Sequence, residues 1–452
     1  MERDKLDFGN EKINKLFGAM FLPTLIGMVF NSILNICDGM FVGHGVGSNA
    51  LAAINIVAPL FLVCTGVGLM FGIGASVIGS IRLAEGNVKA ARIIMTQAYI
   101  AGAIIFGVVI LVSFFFTHKV LYALGCSPAL EALATDYLLW LLPGLVFFYL
   151  QCAGMMLIRL DGSPKYAMSV QIVAAVLNIF LDWLLVFPLG MGIKGASVAT
   201  SISCIVAGLM VIGYFLLLSD KLKFYKLKAS RKSLVLSLRN TGYMIKVGMA
   251  TFIAELSMGI MMVAGNYMFL SYLGEPGVAA FSVGCYLFPL IFSISNAVAQ
   301  ASQPIISYNY GAGSFDRVRE ALKIALVTAF ACGVLISAGM WVGSPALTMI
   351  FLSPSETAYE LAVKGLPLLG LCTLFFAINI TFIGYYQSRE QSLRSIIYML
   401  LRGVVFMVPG FVVLPKIFGS SGLWLAIPAS ELLTFVVILA IYFLDKARRS
   451  CL

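Results

Sequence analysis

Apolar runs of about twenty residues recur along the whole chain, separated by short polar breaks. A helix rises about 1.5 Å per residue, so each run is long enough to cross a hydrocarbon core of roughly 30 Å. Twelve helical spans are predicted, near residues 16–42, 51–81, 95–116, 136–158, 166–188, 196–218, 246–270, 278–307, 322–343, 364–386, 394–414 and 423–444. The runs are apolar on every side instead of alternating, which argues against a β-barrel. The opening stretch "MERDKLDFGNEKINK" mixes acids and bases before any apolar residue run, unlike a cleaved signal peptide, so the first span is expected to be retained.

Composition agrees with this pattern. Of 452 residues, 61% are hydrophobic and only 11% charged, where soluble domains carry roughly a quarter. An all-α integral membrane protein is expected. The net charge of +10 could suggest nucleic acid, but the placement of the bases points elsewhere. With the N-terminus inside, only Lys119, Lys194, Lys364 and Lys416 fall outside, and the other 26 of the 30 Lys and Arg lie inside or near it. This is the positive-inside distribution, with both termini cytoplasmic. Its centre is "SDKLKFYKLKASRKSLVLSLRN", read as a linker over 219–245 able to rest on anionic headgroups. No nucleic-acid partner is expected. Nine cysteines show no metal-ligand spacing and are read as buried thiols.

A repeat underlies the twelve spans. "GVGSNALAAINIVAPLF" at 45–61 aligns without gaps to "YLGEPGVAAFSVGCYLF" at 272–288, so that Gly47 pairs with Gly274, an offset of 227. The same offset pairs Gly86 with Gly313, Arg92 with Arg319, and Pro188, Gly192, Gly195 and Ala199 with Pro415, Gly419, Gly422 and Ala426. Each copy holds six spans, an even number, so both enter the membrane from one side. Two six-helix bundles, 1–218 and 246–452, are expected, related by a pseudo-two-fold axis along the membrane normal. A site between such bundles, alternately exposed, is a transporter's geometry more than a channel's.

Charges inside the hydrocarbon are expensive and mark candidate sites. Five qualify: Asp38, Asp182, Glu255, Arg402 and Glu431. Asn31, Asn35 and Asp38 fall at i, i+4 and i+7 on one helical face, and Asn178 and Asp182 at i and i+4 on another. Two such stripes could face each other and gather oxygen ligands. Close carboxylates in a low dielectric suit a proton carrier, and the same oxygens with an amide and a hydroxyl suit a small hard cation such as Na+. Packing by hydrogen bonds alone is the bland alternative. Arg402 lies about two turns from a span end and is expected to snorkel to the headgroups. Glu255 and Glu431 have no partner nearby in sequence. Ser293, Asn296, Gln300 and Gln303 trace a stripe that could line a wet cleft. Met155, Met156, Met258, Met261 and Met262 are adaptable enough to line a substrate pocket, though such stripes more often serve packing.

Several stretches in order resemble one transporter family: "D-x-x-x-V-G" from Asp38 to Gly43, "ALAAINIVAP" at 50–59, "GNVKAARI" at 86–93, "IRLDGSPKYAM" at 158–168, "LNIFLDWLLVFPLGMGIKGASVAT" at 177–200 and "GAGSFDRVREA" at 311–321. Together they resemble the multidrug and toxic compound extrusion (MATE) family across nearly the whole chain. The resemblance implies an antiporter of the bacterial inner membrane that expels amphipathic, often cationic drugs in exchange for H+ or Na+. It carries a cation site over to Asp38, Asn178, Asp182 and Thr200, a bend in the first helix to the Pro23 region, and an acid on helix seven to Glu255. Some members have a further acid on helix ten, where this chain offers only Asn379. No cofactor or resident metal is expected, and the chain is read as a monomer in the bilayer. A lipid-linked oligosaccharide flippase of similar two-lobed build is the nearest alternative, but its pyrophosphate cargo calls for a cationic cavity. An intramembrane enzyme is disfavoured, since His44 and His118 sit at loop edges in no catalytic arrangement.

Overall fold

Hydrocarbon offers the backbone no hydrogen-bonding partner, so an apolar stretch of this length must satisfy its own amides, as a helix does within one segment. The computed structural model describes residues 6–46, 48–228 and 230–450. In chain order these form α1 (Ile13–Gly45), α2 (Ser48–Ala84), α3 (Val88–Phe115), α4 (Thr117–Ala123), α5 (Glu131–Leu160), α6 (Pro164–Val186), α7 (Gly192–Gly213), α8 (Arg231–Gly311), α9 (Phe315–Met349), α10 (Thr357–Gly370), α11 (Cys372–Ser388), α12 (Ser392–Leu400), α13 (Met407–Phe418) and α14 (Ser420–Ser450). Single π-helical turns follow α7 at Tyr214–Leu218 and join α12 to α13 at Leu401–Val405. No strand occurs among the described residues.

Among the described residues, nine of these helices, and α12 joined to α13 through its π-helical turn, are long and apolar enough to span a membrane. The α10/α11 pair, bent by 40°, adds an eleventh. The twelfth comes from α8, where Gly274 leaves the helical region with φ 66° and ψ −161°, a combination open to glycine, and so divides 81 residues into two helices. The all-α reading with twelve spans agrees with the structure.

One expectation changes in detail. Span ten is not one helix. Pro367 has no N–H to give the Val363 carbonyl, which instead accepts from the Ser344 hydroxyl at 3.0 Å, and four residues later the helix breaks at Leu371. The 219–245 linker also has structure of its own. Residues 220–228 form a non-helical strap laid against α3 and the end of α5, and the helical part of the segment is already the start of α8.

The repeat is visible in the backbone. After α2, Gly86 adopts φ 77° and the Asn87 amide donates to the Arg82 carbonyl at 2.8 Å. After α8, Gly313 adopts φ 71° and the Ser314 amide donates to the Asn309 carbonyl at 2.9 Å. Each residue of the second turn is the first plus 227. Both are left-handed helix ends that a side chain would strain.

The chain divides into two compact units, Met1–Glu255 with Ser307–Val318, and Leu256–Ile306 with Arg319–Leu452. In the first, α5 and α7 approach so closely that a Cβ on Gly144 would come within 2.7 Å of the Ser201 Cα. Ser197 and Ser201 hydroxyls donate to the carbonyls of Tyr137 and Trp140, holding the two backbones together. Small residues at a helix contact and hydroxyl cross-links are how membrane helices gain affinity where burial of apolar surface contributes little. In the second unit, Phe269 stacks on Phe281 at 4.5 Å and meets Trp424 edge-on at 4.9 Å.

Candidate functional site

The site is set by how α1 lies along α6. A Cβ on Gly27 would collide with the Gln171 side chain, and one on Gly45 with Val186, so the two helices run in the same direction with no room between them. Asp38 is 11 residues beyond Gly27, and Asp182 is 11 beyond Gln171. Equal rise then brings the two acids to one level, and their carboxyl groups lie side by side. The stripes that the spacing suggested do meet at their carboxylates.

Asp182 is fully buried and Asn178, one turn earlier, is 3% exposed. The Asn178 carboxamide lies between Asp182 and Thr200. With its NH2 toward the acid it donates to Asp182 Oδ2 at 3.2 Å and accepts from the Thr200 amide at 3.2 Å, whereas the reverse orientation reaches only the Thr200 hydroxyl, at 3.4 Å. The first orientation satisfies both ends and is the one adopted here. Oδ1 of Asp38 and Oδ1 of Asp182 are buried with no hydrogen-bond partner among the described residues. Such oxygens are acceptors for a proton-bearing group or a cation.

Tyr137 completes the cluster. It is buried on α5, its hydroxyl lies near the Thr200 side chain, and both acids are among its charged neighbours. Sequence reasoning missed it, because a tyrosine in an apolar span looks like packing until α7 brings Thr200 to its tip.

Other sequence candidates fall elsewhere. Asn31 is exposed, and the Asn35 side chain lies outside the described residues. Pro23 is buried in an α1 that runs through it unbroken, which leaves the Ala19 carbonyl without its helical donor. Glu255 is buried where α8 meets Gly66 of α2 and Cys152 of α5, and is not among the charged neighbours of the Asp38 and Asp182 pair. Met155 and Met156 are buried in α5, Met261 is buried in α8, Met258 is half-buried and Met262 is 41% exposed. In the second unit Gln300 and Gln303 are buried, Gln303 donating to Gln387 Oε1 at 3.3 Å, while Ser293 and Asn296 are half-buried.

Arg402 corrects an expectation. It does not snorkel. It is buried, donates from Nε and Nη2 to Glu431 Oε1 at 2.9 and 2.5 Å, and lies 4.2 Å from the Phe376 ring centre. Asn379 donates to the other Glu431 oxygen at 2.8 Å. Glu431, which seemed partnerless, thus has a cation and an amide. A lone acid and a lone base in consecutive spans were the available signal. Two buried charges with paired hydrogen bonds satisfy each other, and the group is internally neutral.

Comparison with known proteins agrees with this arrangement. The MatE family model matches residues 23–184 and again 248–412, once on each copy of the repeat. The chain belongs to the MATE family. The multidrug export protein MepA of Staphylococcus aureus is 25% identical over 434 residues, which is 95% of this chain and 94% of that protein. Its namesake in Staphylococcus saprophyticus is 26% identical over 439 residues, 96% and 95% of the two chains. A solved outward-facing structure of a multidrug resistance MATE transporter superposes with a TM-score of 0.88 at 22% identity, over 98% of this chain and 97% of that one. A mutant of the Vibrio cholerae MATE transporter VcmN gives 0.88 at 20% identity, over 97% of each. These structural likenesses establish the shared MATE fold. The chain is therefore a multi-pass membrane protein of a transporter family.

Proposed function

We propose that this MATE protein exports amphipathic, cationic small molecules in exchange for protons that bind at Asp38 and Asp182. The names of its relatives support drug export, and the contact between the two carboxyl groups supports the proton. Two carboxyl groups brought this close in lipid repel each other when both are charged, so the pair is a place where one proton is held without a counter-charge. Asn178 and, through Thr200, Tyr137 fix the geometry around it.

In this cycle the outward-facing protein takes up a proton at the pair and releases drug, and the inward-facing protein returns the proton to the cytoplasm and takes up the next drug. Proton and drug couple because each binds the two states unequally. The excess of Lys and Arg in one set of loops supports both termini facing the cytoplasm. A second reading has Na+ as the coupling ion, favoured by the two partnerless oxygens beside a hydroxyl and an amide, a donor set of hard oxygens. Dye efflux from proteoliposomes under an imposed pH gradient, or under an imposed Na+ gradient at equal pH, separates them. Efflux driven by the pH gradient alone is the expected result. Efflux driven by Na+ alone would replace the proton with Na+, and efflux under neither would remove the coupling site.

A further inference from the structure

The strap at 220–228 is built in a way that the transport cycle does not use. Its backbone is fixed to the first unit: Asp161 Oδ1 accepts from the amides of Lys221 and Leu222 at 3.2 and 3.0 Å, Thr96 Oγ1 accepts from the Tyr225 amide at 2.9 Å, and Arg92 Nε donates to the Lys221 carbonyl at 2.7 Å. Leu222 is fully buried and Phe224 packs on Tyr99 and Phe215. Alternation of an extended chain turns Lys221 and Lys223 outward; the register shifts at Phe224 and Tyr225, after which Lys226 and Lys228 also face out, so all four lysines are exposed. Arg231 and Lys232, also exposed, continue the series at the start of α8. Between 220 and 232 the only acid is Asp220 against these six bases, a net charge of +5.

The level of this surface follows from its bonds. Gln97, two residues inside the predicted third span, donates to Ser237 at 2.8 Å and accepts from Asn240 at 2.9 Å. The first turns of α8 therefore stand where α3 enters the hydrocarbon. There Leu234, Val235 and Leu238 are 62%, 59% and 65% exposed. A basic row beside exposed aliphatic side chains at that depth is complementary to an anionic headgroup with its acyl chain, and not to a soluble anion, which has no use for the leucines.

We propose that the strap and the first turns of α8 form a docking surface for anionic phospholipid of the cytoplasmic leaflet. A plain topology signal would need only the charges; here Leu222 is buried, Phe224 packs on two rings and the backbone beneath the lysines is hydrogen-bonded in place. The test uses the purified full chain in vesicles of phosphatidylcholine with a minority of phosphatidylglycerol, followed by mild extraction and quantification of the lipid that stays bound. The wild-type protein is expected to carry phosphatidylglycerol above the vesicle ratio. K221Q/K223Q/K226Q/K228Q should reduce that enrichment roughly threefold or more, while K119Q/K194Q/K364Q/K416Q, which removes as many charges from the other side, should not. If the strap variant folds poorly, K226Q/K228Q should give part of the loss. Raising salt to 1 M, where screening shortens to about 3 Å, should erase the wild-type enrichment. Equal loss in both quadruple variants, or no loss in either, would overturn the proposal. So would selective displacement by inorganic phosphate at matched ionic strength, which would indicate a free-anion pocket.

Discussion

Arg402 and Glu431 form a buried ion pair at positions where the first copy of the repeat has Ala175 and Cys204. Asn379, which binds the same acid, corresponds to Cys152, and Cys152 neighbours Cys204. The two copies thus bring equivalent positions together, but they hold their charge differently. The first presents acids to each other with no base among their charged neighbours in the described residues. The second closes its acid with a base of its own.

Removing one partner of that closed pair strands a buried charge. Arg402→Met is expected to destabilise the protein by about 3–5 kcal/mol, read as a lowered unfolding temperature in detergent. Arg402→Met with Glu431→Met should recover most of the loss, because neither charge then remains. A double variant as unstable as the single one would show that the pair is worth more than its own neutralisation.

Asp182→Asn keeps the size of the side chain and can still hydrogen-bond Asp38, yet it cannot release a proton. Efflux driven by a pH gradient should fall at least about tenfold, the equivalent of roughly 1.4 kcal/mol in the coupled step, with the elution profile of the purified protein unchanged. Wild-type efflux in proteoliposomes would contradict the assignment of the pair.

Tyr137→Phe removes only the hydroxyl that meets Thr200. Loss of a polar contact of this kind costs at most about 0.5–1.5 kcal/mol, so coupled efflux is expected to drop by no more than a few-fold, less than for Asp182→Asn. Initial rates at several drug concentrations would check the ordering, and no change at all would remove Tyr137 from the site.

Gly144→Val tests how α5 and α7 hold the cluster. Its side chain would meet the Ser201 backbone at a distance no real Cβ adopts, and overpacking of this kind costs about 1–3 kcal/mol or more. Lower folded yield is expected, and the protein that does fold should transport poorly because Tyr137 and Thr200 no longer meet. Gly107→Val, where a Cβ has open space around it, should be tolerated.

Much of this was legible in the order of residues, for physical reasons that can be named. Lipid forces long apolar helices, so the spans and their number could be read from hydropathy alone. Two polar stripes at helical spacing announced Asp38 and Asp182, since an acid in lipid has few structural excuses. What could not be read were contacts that depend on how separate helices lie side by side. Tyr137 becomes polar machinery only beside Thr200. Arg402 and Glu431 are 29 residues apart, and each by itself suggests a different role from the one they share. The break at Leu371 was hidden because Pro367 sits in an otherwise apolar run, and the Ser344 hydroxyl that relieves it comes from another helix. The strap was half legible: the basic run in "KLKFYKLK" was there to read, but not the carboxylate of Asp161 that anchors it.

The matched turns at Gly86 and Gly313 carry a consequence for the history of the molecule. Within each turn the same atoms make the same bond 227 positions apart, although the side chains around them differ, Arg82 standing where the later copy has Asn309. Backbone punctuation of this kind answers only to sterics, so it survives while the interior is rewritten. A half-length ancestor could therefore double first and diverge afterwards, leaving one copy with its acids side by side and the other free to seal its own.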